Sequence, residues 1–213
     1  LLKEGKEKQR PYDAFRHRVM FPIRNLTGRV IAFGGRRLRE ENESEAAKYI
    51  NSPETAVYKK GRELFGLWEA RNDIRKQDRA LLVEGYTDCA SLVMAGVGIA
   101  VASLGTSLTD DQVFQLKRIF VRTANQYTGA IYIMYDCDRA GLAAARRAVD
   151  IIINSGLNPR VVILPDGEDP DSVVQKYGGE AAWKFVNDAL SPVEFQLEFA
   201  KRNNLTRSQI LSA

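Results

Sequence analysis

From residue 80 onward the chain alternates short apolar runs with amphipathic stretches. Residues 80–85 (ALLVEG) are apolar up to a closing charge, the pattern of a strand buried on both faces. Residues 87–96 (TDCASLVMAG) predict a helix with Thr87 as N-cap and Gly96 as its stop. A second strand is predicted over 98–105 (GIAVASLG), followed by a helix over 108–120 that is capped by Thr109 and carries acids in its first turn. A third strand over 130–136 (AIYIMYD), a helix over 138–156 and a fourth strand over 160–165 (RVVILP) complete the series. Alternation of this kind predicts an α/β fold, a parallel sheet flanked by helices on both faces.

The first 79 residues follow a different rhythm. VMFPI and RVIAF, joined by turn residues at 25–28, predict a β-hairpin. A polar loop is expected over 40–48 and a helix around 63–76. The chain therefore divides into a smaller mixed α+β subdomain (1–79), the parallel-sheet domain (80–190) and the start of a helical segment (191–213). The first residue is Leu1, and the last residues, NNLTRSQILSA, stop as a helix begins, so the sequence reads as a segment of a longer polypeptide.

With 213 residues, 45% of them hydrophobic, the chain can bury a substantial core. No apolar run approaches the roughly 18 residues needed to cross a bilayer. The opening LLKEGKEKQR is too charged for a signal peptide, so the expected location is cytoplasmic. One histidine, His17, and two distant cysteines, Cys89 and Cys137, provide neither a zinc-ligand spacing nor a disulfide framework. Chemistry here must run on carboxylates, basic side chains and hard metal ions. The net charge of +4 is unevenly spread: residues 1–80 hold 19 Lys/Arg against 12 Asp/Glu, and residues 81–190 hold 9 against 13. A basic part beside an acidic part predicts a polyanion partner and a cation site.

The acids fall at strand ends. Glu84 ends the first predicted strand, Asp136 ends the third, and Asp138 follows two residues later. If those two strands are neighbours, the three carboxylates converge where open α/β sheets place their ligands. Crowded carboxylates raise one another's pKa, and a divalent cation relieves that repulsion. Mg²⁺ suits such a site because it takes a few carboxylates together with waters and phosphates. Any one acid alone also reads as a helix cap, Asp138 above all, but the three together favour the metal site.

VEGYTD (83–88) and YDCDRAG (135–141) resemble the two signature motifs of the Toprim domain, found in bacterial primases, type IA and type II topoisomerases, OLD-type nucleases and RecR-type repair proteins. RVMFPIRNLTGRVIAFGGR, KYINSPET, KGRELFGLWEA, AVASLGT and LPDGEDPD resemble, in order, segments of the bacterial DnaG-type primase, and together they span roughly residues 11–200. This resemblance implies template-directed RNA primer synthesis for DNA replication. It implies Glu84, Asp136 and Asp138 as catalytic metal ligands, with Asp88, Asp169 and Asp171 as further acids around the metal, and Mg²⁺ (or Mn²⁺) as the ion. On the basic side it implies Arg16, Lys48 and Lys60 as nucleic-acid or nucleotide contacts.

The partners implied are a single-stranded DNA template, ribonucleoside triphosphates and the RNA–DNA hybrid. A replicative helicase would be met at the replication fork through a region outside this chain. Other Toprim activities, phosphodiester cleavage or a non-catalytic RecR-like DNA-binding module, are the rival readings. Two positions depart from the family pattern. Ala14 stands where primases often carry a basic residue, and Cys137 stands where they usually carry Gly. A cysteine there keeps φ negative and brings a thiol that favours softer ions. Asp166 and Glu168 stay unassigned, and AVASLGTSLT reads equally as a phosphate-facing turn or a plain connection.

Overall fold

A computed structural model describes residues 2–3, 12–38, 47–105, 107–124 and 126–203. The chain forms two compact units, Leu1–Lys59 and Lys60–Ala213.

The first unit is built from antiparallel strands. β1 (Leu2–Lys3) pairs with β2 (Tyr12–Asp13), and β3 (Arg18–Arg24), β4 (Val30–Arg37) and β5 (Tyr49–Asn51) form a sheet in that order. The expected hairpin joins β3 to β4. Asn25 Oδ1 accepts from the backbone N–H of Thr27 and of Arg29, both at 3.0 Å, and Gly28 supplies the left-handed residue with φ 81°. The Arg18 guanidinium donates to the Gly35, Lys48 and Ala47 carbonyls at 3.2, 3.2 and 2.7 Å, tying the approach to β5 onto the hairpin. Most of the expected polar loop, residues 39–46, lies outside the described residues, as do 204–213 of the expected terminal helical segment.

The second unit runs α1 (Leu67–Gln77), β6 (Arg79–Val83), α2 (Tyr86–Met94), β7 (Ala100–Ala102), α3 (Asp110–Lys117), β8 (Ala130–Ile133), α4 (Arg139–Asn154), β9 (Asn158–Val161), α5 (Pro170–Asn187) and α6 (Pro192–Arg202). Its four strands are parallel in the order β7-β6-β8-β9. Leu81, Leu82, Val83, Ile99, Val101, Ile131 and Ile133 are fully buried, which is why β6, β7 and β8 read as apolar runs, whereas the edge strand β9 alternates exposed and buried positions. Helix α2 packs with α5 and α3 with α4, so helices cover the sheet. The chain leaves β6 toward β7 and leaves β8 toward β9, in opposite directions. The neighbours β6 and β8 therefore flank the point where strand order reverses, the usual ligand crevice of such sheets.

Four local differences from the sequence reading have physical causes. Helix α1 begins four residues later than expected because Phe65 pairs with Ala102 in an isolated antiparallel bridge and Gly66 turns with φ 80°. Residues 60–79 belong to the second compact unit, where α1 packs against β6 and β7, whereas the subdomain boundary expected from sequence lies at 79/80. Helix α2 is capped by Gly85 rather than Thr87, with Asp88 Oδ2 accepting from the Gly85 N–H at 3.0 Å. Strand β9 starts earlier than 160, and Val161 is held by Leu190 as well as by β8. Helix α5 was not anticipated. It opens as helices are expected to, on a capping Asp169 with Pro170 in the first turn, but Gly178–Gly179 disguise its continuation. Gly178 is non-helical with φ 78°, and a Cβ at Gly179 would lie 2.0 Å from the Ala95 carbonyl oxygen, so the kink lets α5 close against the end of α2.

Candidate metal centre

Each acid of the sequence motif is delivered by a helix start or a strand end at the β6/β8 crevice. Glu84 follows the last residue of β6. Asp136 lies between β8 and α4, and Asp138 is the N-cap of α4, its Oδ1 accepting from the Gly141 N–H at 2.7 Å. Asp169 caps α5, accepting from the Ser172 N–H at 2.6 Å. Asp171 sits in the first turn of α5 and accepts from the Ser91 hydroxyl on α2. The cap expected of Asp138 is thus realised, and Asp169 caps a helix that the sequence pattern did not predict, but a cap occupies one carboxylate oxygen of two.

The acids act on one another. The Glu84 carboxyl is pushed up to about 7, first by burial and then by the charges of Asp136, Asp88 and Asp138. Asp88 is pushed up to about 6 by burial and by Asp136, Asp169 and Asp171, against the opposing hydrogen bond from Gly85. All six acids therefore share one electrostatic neighbourhood. Glu84 Oε1 is buried without a hydrogen-bond partner. A buried, unpartnered carboxylate oxygen inside a cluster of like charges is the environment a divalent cation satisfies. Among the described residues no three His, Cys, Asp or Glu side chains close into a ready-made cage. An ion that retains waters and takes phosphate oxygens requires none.

The two acids left unassigned from sequence are otherwise engaged. Asp166 pairs with Arg202 at 2.7 Å, and Glu168 binds Lys176 and accepts from the Ser172 hydroxyl at 2.5 Å. The Lys176 and Ser172 hydrogen bonds hold the Glu168 carboxyl below its usual range. Cys137 keeps a negative φ as expected, and its Sγ accepts from Arg202 Nη1 at 3.1 Å. Of the basic candidates, Arg16 is exposed in the turn before β3. Lys48 is exposed beside β5, its Nζ 5.6 Å from the centre of the Tyr49 ring. Lys60 is half-buried at the start of the second unit, where its carbonyl accepts from Gln112.

Gly141 lies within the YDCDRAG motif, and its role shows only in three dimensions. A Cβ there would stand 2.2 Å from the Asp136 carbonyl oxygen, so only glycine lets α4 begin this close to the acid loop. Gly141→Ala is expected to cost about 2 kcal/mol and to weaken divalent-ion binding, because the Asp136–Asp138 loop must shift. Thermal unfolding with and without Mg²⁺ checks both parts.

A four-stranded parallel sheet with acids at its switch point and flanking helices defines a Toprim-type α/β domain. Residues 1–71 match the family described as DNA primase catalytic core, N-terminal domain, and residues 81–174 match the Toprim-like family. The division between these two matches falls between 71 and 81, while the compact units divide at Lys59/Lys60. A DNA primase of Clostridium acetobutylicum is 43% identical over 200 residues, covering 93% of this chain and 31% of the relative. The solved DNA primase domain from Pseudomonas aeruginosa is 32% identical with a TM-score of 0.76, covering 100% of this chain and 76% of that one. A DnaG primase catalytic domain bound to single-stranded DNA is 44% identical with a TM-score of 0.78, covering 92% of this chain and 60% of that one. The chain belongs to the bacterial DnaG-type primase family. It spans about a third of the length of the curated relatives it matches.

Proposed function

We propose that this chain carries the metal-dependent centre of a DNA primase, which joins ribonucleotides into a primer on a single-stranded DNA template. The observation that carries the reading is the convergence of Glu84, Asp136 and Asp138 with Asp88, Asp169 and Asp171 at the β6/β8 switch point, with Glu84 pushed up by its neighbours. In the reaction a primer 3′-hydroxyl oxygen bonds to the α-phosphorus of the incoming ribonucleotide. The α–β anhydride bond breaks, pyrophosphate leaves with the electron pair, and the hydroxyl proton passes to water.

Mg²⁺ or Mn²⁺, when bound, supplies charge neutralisation and hydroxyl activation. Glu84, Asp136 and Asp138 would hold it, and Asp88, Asp169 and Asp171 would keep the surrounding charge negative enough to retain it. The capped starts of α4 and α5 fix the carboxylates before substrate arrives, so little orientation is lost at the moment of reaction. Arg16, Lys48 and Lys60 would neutralise template or nucleotide phosphates, giving salt-dependent binding without sequence readout. The relative solved with single-stranded DNA supports a single-stranded template. An RNA–DNA hybrid would follow as product, in a cytoplasmic protein working at the nucleoid beside the replicative helicase. No helix among the described residues is long and apolar enough to cross a membrane.

The reading is tested with the intact protein on single-stranded DNA, four ribonucleotides and Mg²⁺, beside a supercoiled plasmid under the same conditions. Short RNA with intact plasmid is expected. Nicked plasmid without RNA would move the same acids into the cleaving Toprim class, and DNA binding without either product would favour a RecR-like module.

A further inference from the structure

A cleft of about 310 Å³ extends away from the acids along α4. Glu84, Asp136 and Asp138 line one part of it, and Ala144 and Arg147 line it farther along the helix. Ala140, Ala144 and Arg147 recur at helical spacing, so they form one stripe on α4. Helical Cα–Cβ bonds lean toward the helix N-terminus, the end of α4 that carries Asp138, and Arg147 borders the same cleft as Ala144 and the acids. Arg147 is exposed and, among the described residues, has no ion-pair partner although it borders a cleft lined by three carboxylates. The Tyr135 hydroxyl, buried beside the same cleft, also has no hydrogen-bond partner of ordinary geometry.

An exposed arginine without an ion-pair partner among the described residues, bordering an acid-lined cleft, is available to an anion that does not belong to the protein. The acids would repel that anion unless a cation lay between them, so it must be one that bridges a metal ion and a guanidinium. A polyphosphate would suit both, since it carries several anionic groups along its length and a guanidinium takes phosphate oxygens in a fork.

We propose that Arg147 is a positioning residue that grips the β- and γ-phosphates of the incoming ribonucleoside triphosphate. Ala140 and Ala144 leave the channel through which those phosphates lie. This assignment rests on the primer-synthesis reading for its substrate, while its physical content is a subsite for polyphosphate. Arg147 touches neither the attacking hydroxyl nor the α-phosphorus, so it acts on nucleotide binding rather than on bond formation.

The experiment compares wild type, Arg147→Ala, Arg147→Lys and Ala144→Met in the intact protein. Calorimetry measures binding of ATP, AMP and pyrophosphate in the presence of Mg²⁺, and primer synthesis is resolved into KM and kcat. Arg147→Ala should weaken ATP and pyrophosphate binding roughly tenfold or more, leave AMP binding within about twofold and raise the nucleotide KM with kcat little changed. Arg147→Lys should recover part of the loss, since a point charge replaces a fork. Ala144→Met, at a half-exposed position that a longer side chain can occupy, should reproduce the selective loss by narrowing the channel.

Unchanged ATP and pyrophosphate affinity in both Arg147→Ala and Ala144→Met overturns the subsite. An equal loss of AMP binding also overturns it, because the contact would then not be to the terminal phosphates. If wild type makes no primer but Arg147→Ala still loses polyphosphate selectively, the primer-synthesis reading fails and the subsite stands. If wild type makes primer and the variants match it in KM and affinity, the reverse holds.

Discussion

Asp138→Asn is expected to reduce primer synthesis by roughly 10²–10³-fold while the protein stays folded. The two consequences separate because Asp138 has two jobs. As the N-cap of α4 it accepts a 2.7 Å hydrogen bond from the Gly141 N–H, and an asparagine amide oxygen can make the same bond with little loss of helix stability. As one of the acids around Glu84 it contributes negative charge, which asparagine lacks. On the proposed reaction, losing one carboxylate from a centre that would neutralise a pentavalent phosphate should remove several kcal/mol of transition-state stabilisation. Asp138→Ala would remove cap and charge together, adding about 1 kcal/mol of destabilisation to the same catalytic loss. Asp166→Asn is the contrasting variant. Asp166 is largely exposed and paired with Arg202, so its replacement should leave synthesis within about twofold. Primer yield and the unfolding midpoint of the three variants, measured together, check this. Full synthesis by Asp138→Asn would remove Asp138 from the metal centre.

The sequence disclosed the parallel sheet well because three of its strands are mostly buried and spell themselves out as ALLV, AVA and AIYI, while the edge strand β9 alternates exposed and buried positions. The acids were legible for a related reason. Any one charge at the end of an apolar run could be a helix cap, as Asp138 is, but the neighbouring of β6 and β8 brings the separate strand ends into one crevice. Helix ends were less legible where a tertiary contact overruled local preference. Phe65 reads as part of the α1 pattern but is taken by its bridge to Ala102, and Thr87 reads as a cap but gives way to Gly85 because Asp88 bonds back to it. Helix α5 was hidden by a glycine pair whose purpose, close approach to Ala95, appears only in three dimensions.

Arg147 was invisible for the opposite reason. It sits in an ordinary amphipathic helix beside Arg146, and only the cleft distinguishes the two: Arg147 lines it, while Arg146 lies 5.7 Å from the Phe199 ring on α6. Cys137 illustrates the same limit. Its thiol looked like a modifier of metal preference, yet it accepts a hydrogen bond from Arg202, and that arginine also holds Asp166. Composition cannot reveal that one α6 side chain braces two loops of the acid site.

The metal-free protein should lose stability as pH rises from about 4.5 to about 7, and Mg²⁺ should restore it chiefly at the upper end. Glu84 is pushed up to about 7 and Asp88 to about 6 in the folded chain, above the values they take when unfolded. Between those limits the folded state holds more protons than the unfolded state, so the slope of unfolding free energy with pH is negative. Protonation of these two carboxyls supports the fold below the unfolded pKa values, and that support is gone once pH passes the folded ones. Both groups are partly solvent-screened, and together they contribute about 3 kcal/mol across the window. In a chain of this size that corresponds to roughly 6–12 °C in Tm. A divalent cation binds the deprotonated cluster and competes with protons, so millimolar Mg²⁺ should raise Tm several degrees at pH 7.5 and hardly at all at pH 5. Glu84→Gln replaces the most strongly raised carboxyl with a neutral group. It should flatten the pH slope, stabilise the metal-free protein at pH 7.5 and abolish most of the Mg²⁺ response. A scan of Tm against pH, with EDTA or with Mg²⁺, decides the point. A midpoint that rises between pH 5 and 7 in EDTA, or a Mg²⁺ shift of equal size at both ends, would mean that the acids do not form one cation-binding cluster.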